Sequence, residues 1–259
     1  MNPLLVRILR AKREEIERQK KTEDLNTLRK RIDNALPVRN FRSAIHIEEH
    51  ISLIAEIKRS SPSRGKIADV DVTDLARQYD ESPAAAVSVL TDPYFEGNIE
   101  HLSAVKAVTS KPILRKDFIL DKYQVYQSRA FGADAVLLIA SLLEKNVLAE
   151  LLSVCRETGL HALVESHTKE DLAKIPKEAE IYGINNRDLN SADLNIDMET
   201  TPRLLPLIHD GKTVVCESGI FERADIERIA ALGRVNAVLV GTSLIASGDP
   251  AAKIAELLG

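Results

Sequence analysis

Eight short apolar runs punctuate the chain: SLIAEIKR (Ser52–Arg59), AAVSVL (Ala85–Leu90), KPILRKD (Lys111–Asp117), DAVLLIA (Asp134–Ala140), HALVE (His161–Glu165), IYGINNR (Ile181–Arg187), TVVCES (Thr213–Ser218) and NAVLVGTS (Asn236–Ser243). They are rich in Val, Ile and Leu and nearly continuous rather than alternating, as in parallel strands covered on both faces. Segments of mixed charge with helical spacing separate them. Eight β units, each followed by an α unit, predict an α/β fold of the (β/α)₈ TIM barrel type. Such a barrel collects its chemistry at the C-terminal ends of its strands. The residues expected there are Glu56, Lys58, Lys116, Glu165, Asn185, Arg187, Ser218 and Gly241.

Residues 1–50 precede the first run and carry two further helical patterns. Leu5, Ile8, Leu9 and Ile16 form one apolar stripe; Leu25, Leu28, Ile32 and Leu36 form the next. Thr22 reads as the cap of the second helix and Pro37 as its stop. This N-terminal helical extension is expected to cover the barrel mouth or one end. Farther on, Thr73 reads as an N-cap for VTDLARQYDES, and Gly132 and Gly159 close the helices before them. No linker or low-complexity stretch interrupts the pattern, so residues 1–259 read as a single barrel domain.

Composition narrows the function classes. A formal net charge of −4 leaves no electrostatic footprint for nucleic acid. No run of apolar residues is long enough to span a membrane. The first residues alternate charge and apolarity too closely for a secretory signal, and Glu14, Glu15 and Glu17 are foreign to a transit peptide. Cys155 and Cys216 read as two reduced thiols, and the expected location is the cytoplasm.

Five clusters could carry chemistry. Glu56 and Lys58 lie two apart and share one side of a strand, as a rim salt bridge or as working groups at the mouth. The SSPSRG loop after them is longer and more polar than a barrel connection needs. Lys116 ends a strand, where an interior lysine must be paired or used; the pattern leaves open whether it or Arg115 faces the barrel. Glu165 ends another strand as a solvated loop carboxylate or a general base. Asn185 and Arg187 share a face, and arginine can grip an anion in bidentate fashion. Last, CESGI and VGTSLI each read as strand, Gly with Ser or Thr, then helix; two such helix starts side by side suit a phosphate. The H-x-x-E-H match at His46–His50 precedes the first strand, away from the mouth, and is not taken as a metal site.

At these residues the chain resembles the indole-3-glycerol-phosphate synthase family of tryptophan biosynthesis. The matching stretches are IAEIKRSSPSRG, LTDPYFEGNIEHL, PILRKDFILDKYQVYQSRAFGADAVLLIA, LVESH, YGINNRDL, ESGI and VLVGTSLI, in order from Ile54 to Ile245. The resemblance implies a carboxy-lyase that closes, decarboxylates and dehydrates 1-(2-carboxyphenylamino)-1-deoxyribulose 5-phosphate, with no cofactor and no metal. It implies Lys116 as the general acid, Glu165 as the general base, and Glu56 and Lys58 completing the proton network. It further implies Asn185 holding Glu165 or the substrate, Ser61 and Arg187 near the anthranilate end, and Phe95 and Phe118 flanking the ring. Glu217 would lie near the ribulose hydroxyls, with Ser218, Gly219, Gly241, Thr242 and Ser243 around the phosphate. The partner implied is a small phosphorylated substrate, with neither nucleic acid nor membrane; the chain is expected as a monomer, with other tryptophan-pathway enzymes as conceivable companions. Two positions depart from the family pattern: Ser166, where an apolar residue is common, and Asn98, where serine is. A rival barrel chemistry, phosphoribosylanthranilate isomerisation, needs only one acid and one base and would leave Glu56, Lys58, Lys116 and Glu165 oversupplied.

Overall fold

Each of the eight apolar runs forms a strand of one closed parallel barrel. They are β1 (Ser52–Ile57), β2 (Ala86–Leu90), β3 (Ile113–Lys116), β4 (Ala135–Ile139), β5 (His161–Ser166), β6 (Ile181–Asn185), β7 (Thr213–Glu217) and β8 (Ala237–Val240). The computed structural model describes residues 2–48, 50–58, 60–61, 65–66, 71–189, 191 and 193–259. Neighbouring strands pair in sequence order, and β8 closes on β1 with Ser52 beside Ala237 and Ala55 beside Val240.

The near-continuous apolarity of the runs has a simple cause: both faces of every strand are buried. One set of side chains, among them Leu53, Ala55, Val87, Ile113, Val136, Val164, Val214 and Val238, packs outward in the large cluster that holds the helices. The alternate set, Ile54, Ala86, Leu114, Ala135, Leu137, Leu163, Ile181, Val215, Ala237 and Leu239, fills the barrel interior as a second cluster. A strand residue two places farther along a run therefore re-enters the same layer. This period of two decides which residues reach the mouth.

The N-terminal extension covers both ends of the barrel. Its first helix, Pro3–Thr22, brings Leu5, Ile8 and Leu9 into the interior cluster beside Phe118, which follows the C-terminal end of β3. A short helix, Phe41–Ile45, adds Phe41 and Ile45 to that cluster from the other end, where the Arg42 guanidinium donates to Thr213 Oγ1 at the start of β7. His46 Nδ1 hydrogen-bonds with the same hydroxyl at 2.8 Å, which puts that histidine at the end opposite the mouth. Glu49 of the H-x-x-E-H match lies outside the described residues.

Two capping expectations are corrected. The helix Leu25–Asp33 is capped by Asp24, whose side chain accepts from Thr27 N, while Thr22 is the last residue of the helix before it. The helix Val72–Glu81 is capped by Asp71, whose carboxylate accepts from the amides of Thr73 and Asp74. In both cases a carboxylate beats a nearby threonine for the exposed first-turn N–H groups, with the helix dipole in its favour. The helix Leu25–Asp33 also stops before Pro37. Gly132 and Gly159 do sit in left-handed backbone just past their helices, with φ of 95° and 76°.

Candidate active site

The inward-facing set climbs the barrel as an apolar column and turns charged in its last layer. On the alternate strands β1, β3, β5 and β7, the residues two beyond Ile54, Leu114, Leu163 and Val215 are Glu56, Lys116, Glu165 and Glu217, and all four line one cleft at the C-terminal mouth. Barrel interiors are layered in this way, with four side chains from alternate strands at one level. Asn185 reaches the same cleft from β6, and Lys58 and Arg187 lie just past the ends of β1 and β6. The register resolves the choice between neighbours on β3. Arg115 turns outward and is buried against the helix Lys122–Ala130, donating to Gln124 O and Gln127 Oε1, while Lys116 enters the mouth.

Within this layer the charges pair across the barrel. Lys116 Nζ lies 3.3 Å from Glu217 Oε2 and 3.7 Å from Glu165 Oε2. Lys58 Nζ lies 3.1 Å from Glu56 Oε1 and donates to Thr242 Oγ1 at 2.8 Å. Both readings of the Glu56–Lys58 pair thus hold together: it is a salt bridge, and it faces the cleft.

Three carboxylates around one lysine cannot all be equally comfortable. Burial pushes the Glu217 carboxyl up to about 8, the nearby charges of Glu165 and Glu56 reinforcing the rise and Lys116 opposing it. Burial works against the charged form of Lys116, yet Glu217, Glu165 and Glu56 outweigh it and hold its pKa above the ordinary lysine value. Glu56 also resists burial, and Lys58 and Lys116 keep its pKa below the usual carboxylate range. The site therefore holds a firmly charged lysine beside a carboxyl that burial raises well above the ordinary carboxylate range. Glu217 Oε1 is buried and has no hydrogen-bond partner among the described residues. Room for these groups comes from two glycines. A Cβ on Gly183 would strike Glu217 Oε1, and one on Gly241 would stand 2.5 Å from Glu56 Oε1.

One side of the cleft is aromatic. The rings of Phe95 and Phe118 line it with centroids 6.4 Å apart and planes inclined by 27°, and Tyr94 meets Phe95 edge-on at 5.2 Å. Phe95 belongs to a single turn, Pro93–Phe95, in which the Asp92 side chain accepts the Tyr94 amide. Phe118 follows Asp117, whose Oδ1 accepts its amide at 2.7 Å. The opposite side is made of turns. Ser218, Gly219, Gly241 and Thr242 line it. Ser218 holds a left-handed backbone with φ of 67°, unusual for a non-glycine residue. Asn186 secures that turn: fully buried, it donates from Nδ2 to Ser218 O at 3.0 Å and accepts at Oδ1 from the Thr201 amide and hydroxyl.

Several expected positions sit differently from the pattern read in the sequence. Gly241 does directly precede a helix, Thr242–Ala246, but Ser218 and Gly219 belong to a turn ahead of the helix that starts at Arg223. Ser243 donates its hydroxyl to Ile220 O at 2.9 Å, tying the two turns together from behind. Asn185 accepts the Arg187 amide at its Oδ1, and the Arg187 guanidinium donates to Leu194 O. Ser166 turns its hydroxyl to Gly183 O at 3.1 Å, and Asn98 caps the Glu100 amide. The side chain of Ser61, and residues 62–64 of the polar loop, lie outside the described part; the backbone of Ser60–Ser61 pairs antiparallel with Gly65–Lys66. Sequence reasoning missed Asp92, Asp117, Asn186 and the half-exposed Phe221 at the rim. Phe221 follows the phosphate-type turn in CESGIF, which was its available signal.

Known proteins match this arrangement at two depths. Solved barrels share the fold at low identity. A 3-hexulose-6-phosphate synthase from Salmonella typhimurium superposes with a TM-score of 0.65 at 14% identity, over 80% of this chain and 96% of its own. A tryptophan synthase alpha-subunit mutant from Pyrococcus furiosus gives 0.60 at 16%, over 80% and 98%. Sequence relatives are far nearer. An indole-3-glycerol phosphate synthase of Desulforamulus reducens is 44% identical over 98% of this chain and 97% of its own length. One from Neisseria meningitidis serogroup B is 41% identical over 99% and 100%. The family model described as indole-3-glycerol phosphate synthase matches residues 5–257. With the family model and relatives of this identity both spanning nearly the whole chain, the chain belongs to the indole-3-glycerol phosphate synthase family.

Proposed function

We propose that this chain converts 1-(2-carboxyphenylamino)-1-deoxyribulose 5-phosphate to indole-3-glycerol phosphate, the product its relatives are named for, with release of carbon dioxide and water. The observation that carries the reading is the charged layer itself: a protonated lysine between carboxyl groups, with an aromatic slot on one side and two polar turns on the other.

The reaction divides naturally over these groups. The aryl ring enters between Phe95 and Phe118, and Arg187, with Ser61 from the loop after β1, takes the carboxylate end. The phosphate lies on the turns at Ser218–Gly219 and Gly241–Thr242–Ser243. The ring carbon bearing the carboxylate attacks the ketone carbon, and Lys116 gives its proton to the ketone oxygen as that bond forms. A lysine held above its usual pKa supplies both the proton and a fixed positive charge for the developing oxyanion. Loss of carbon dioxide follows. Glu165 then removes a proton from the carbon beside nitrogen in the closed ring, while Lys58, paired with Glu56, gives a proton to the new hydroxyl, which leaves as water; the one proton consumed overall takes the place of the carboxylate lost as carbon dioxide. Asn185 holds the β6 end of the cleft, and Glu217 meets the ribulose hydroxyls.

The one-acid, one-base isomerisation weighed as a rival would leave half of this layer idle. Purified protein mixed with the carboxyphenylamino-deoxyribulose phosphate should develop indole fluorescence; its absence, with turnover of phosphoribosylanthranilate instead, would overturn the assignment.

We also infer that one copy of the chain acts in the cytoplasm. The charged layer and both rings of the cleft are supplied by one chain, so the proposed chemistry needs no second copy. Cys155 and Cys216 are free and buried, burial pushing their thiols up to about 12 and about 11, so neither is poised for oxidation. Among the described residues no helix is long and apolar enough to cross a membrane. Sedimentation velocity at working concentration should give one species of 28.6 kDa.

A further inference from the structure

The first helix, Pro3–Thr22, carries a lysine in its apolar stripe. Leu5, Ile8, Leu9 and Ile16 face the barrel, and Lys12 falls on the same face, its side chain 1% exposed. A buried ammonium is costly unless it is fully compensated. Here Lys12 Nζ lies 2.9 Å from Asp92 Oδ2, 2.9 Å from Asp117 Oδ1 and 2.8 Å from Glu15 Oε2. Burial works against its charge, and the three carboxylates more than restore it.

The two aspartates are not ordinary surface partners. Asp92 accepts from the Tyr94 amide at 2.8 Å and so shapes the turn that presents Phe95. Asp117 stands between Lys116 and Phe118 in the chain. Its Oδ1 takes the Phe118 amide, and its Oδ2 is held by Thr91 Oγ1 at 2.6 Å and by the Arg115 guanidinium at 2.9 Å. Each aspartate thus fixes the loop behind one ring of the aromatic pair, and a single ammonium from outside the barrel bridges them. Without that ammonium, two buried carboxylates would face each other across the base of the slot and repel.

We propose that Lys12 is a positioning residue of the active site: by clamping Asp92 to Asp117 it sets the spacing of the Phe95–Phe118 slot, without touching the substrate. The proposal rests on the reading of that slot as the aryl subsite.

The test is steady-state kinetics on Lys12→Met, which keeps the length and apolar stem of the side chain and removes the charge. The KM for the carboxyphenylamino-deoxyribulose phosphate should rise on the order of 10-fold, less than the ~100-fold that a 1 Å misplacement can cost. The inhibition constant of inorganic phosphate, which probes the turn side alone, should stay within about twofold, as uniform binding there is untouched. Lys12→Met/Asp92→Asn removes the repulsion and offers Asp117 an amide donor, so its KM should return most of the way to wild type. Lys12→Gln, which keeps one donor, should fall between wild type and Lys12→Met; it supplies the same readout if the methionine variant does not fold. A stability role alone would lower the melting temperature and leave the KM of the folded enzyme unchanged, which would overturn the proposal. So would a parallel rise in the phosphate inhibition constant. Phe118→Ala in the Lys12 background separates the two ideas. If that variant keeps its KM, the aryl-slot reading fails; if its KM rises while that of Lys12→Met does not, the clamp alone fails.

Discussion

The two sides of the cleft are held by opposite physics. The aromatic side is clamped by charge: Lys12, Asp92, Asp117 and Arg115 are all buried, and their ion pairs run from an added helix through two strand ends. On the side with the turns, the fixing contacts are neutral apart from Lys58 on Thr242 Oγ1. The shape of that side comes from a left-handed serine, two close-packed backbone turns and the amide of Asn186. The difference suits the proposed ligand ends. The faces of the aryl ring are apolar and its carboxylate is assigned to Arg187, so charges can serve as rigid scaffolding set behind the aromatic pair. A phosphate dianion would be repelled by buried carboxylates, so backbone N–H groups and a hydroxyl make the better cradle. The charged layer of Glu56, Lys116, Glu165 and Glu217 sits between them, where the bonds would change.

If that middle layer is the reacting part, its loss must dwarf damage to either side. Lys116→Ala should lower kcat by at least ~100-fold, the low end of what one positioned general acid supplies. Circular dichroism should show the fold intact. A variant with near-wild-type kcat would make Lys58, the other lysine of the mouth, the acid to test. Lys58→Ala should mix a smaller rate loss with a higher KM, because Lys58 bridges Glu56 and Thr242 and so touches both the layer and the turns.

Gly241 tests whether the layer and the turns are separable. As a bare phosphate contact, its replacement would raise KM alone. The structure sets Glu56 Oε1 where a new Cβ would go, at 2.5 Å. Gly241→Val should therefore also lower kcat, by on the order of 10-fold, through a displaced Glu56. A pure KM effect would show that Glu56 is not needed in its present place.

Asn186→Asp isolates the neutral side. It is nearly isosteric, but it exchanges a donor to Ser218 O for a second acceptor, and one lost buried hydrogen bond is worth about 1–3 kcal/mol. The KM for substrate and the inhibition constant of inorganic phosphate should rise together, by on the order of 10-fold, with kcat nearly kept. This is the mirror image of Lys12→Met, where only the substrate KM moves. Equal responses from the two variants would erase the distinction between the sides.

The uneven physics also explains what could be read from the chain. All eight strands were legible because burial on both faces writes itself as unbroken Val, Ile and Leu. That same redundancy hid the register: Ile113 and Leu114 are both fully buried, one outward and one inward, so neither tells whether Arg115 or Lys116 faces the mouth. The four-residue charged layer was legible only as separate strand ends, since its geometry follows from barrel stagger. Lys12 had a local signal, a charge inside an apolar helical stripe, but its partners lie 80 and 105 residues away. Asn186 gave less: beside Asn185 in GINNRDL, nothing marks which asparagine faces the cleft and which is buried behind it.

The gentlest test uses pH, because the charged layer and the clamp should respond in opposite directions. Asp117 is held down at about 2, burial opposing and Arg115 and Lys12 prevailing. A carboxyl depressed in the folded state binds fewer protons there than in the unfolded chain. Its stabilisation is full above the ordinary value of about 4 and fades as pH falls towards 2. Glu217 is the reverse case. Raised to about 8, it binds more protons folded than unfolded between the ordinary carboxyl value of 4.5 and about 8. Its contribution to stability is therefore complete below that window and is lost as pH climbs through it. The melting temperature of the wild type should decline from pH 5 to pH 8 in part because of this one carboxyl. Glu217→Gln keeps the shape and cannot ionise, so the decline should be shallower in that variant, while the fall below pH 4 that Asp117 governs should be unchanged. A slope between pH 5 and pH 8 identical in the two proteins would mean that Glu217 is already ionised at neutral pH. The Glu217 carboxylate would then add to the charge that Lys116 must balance, with Lys58 and Arg187 as the other cations lining the cleft.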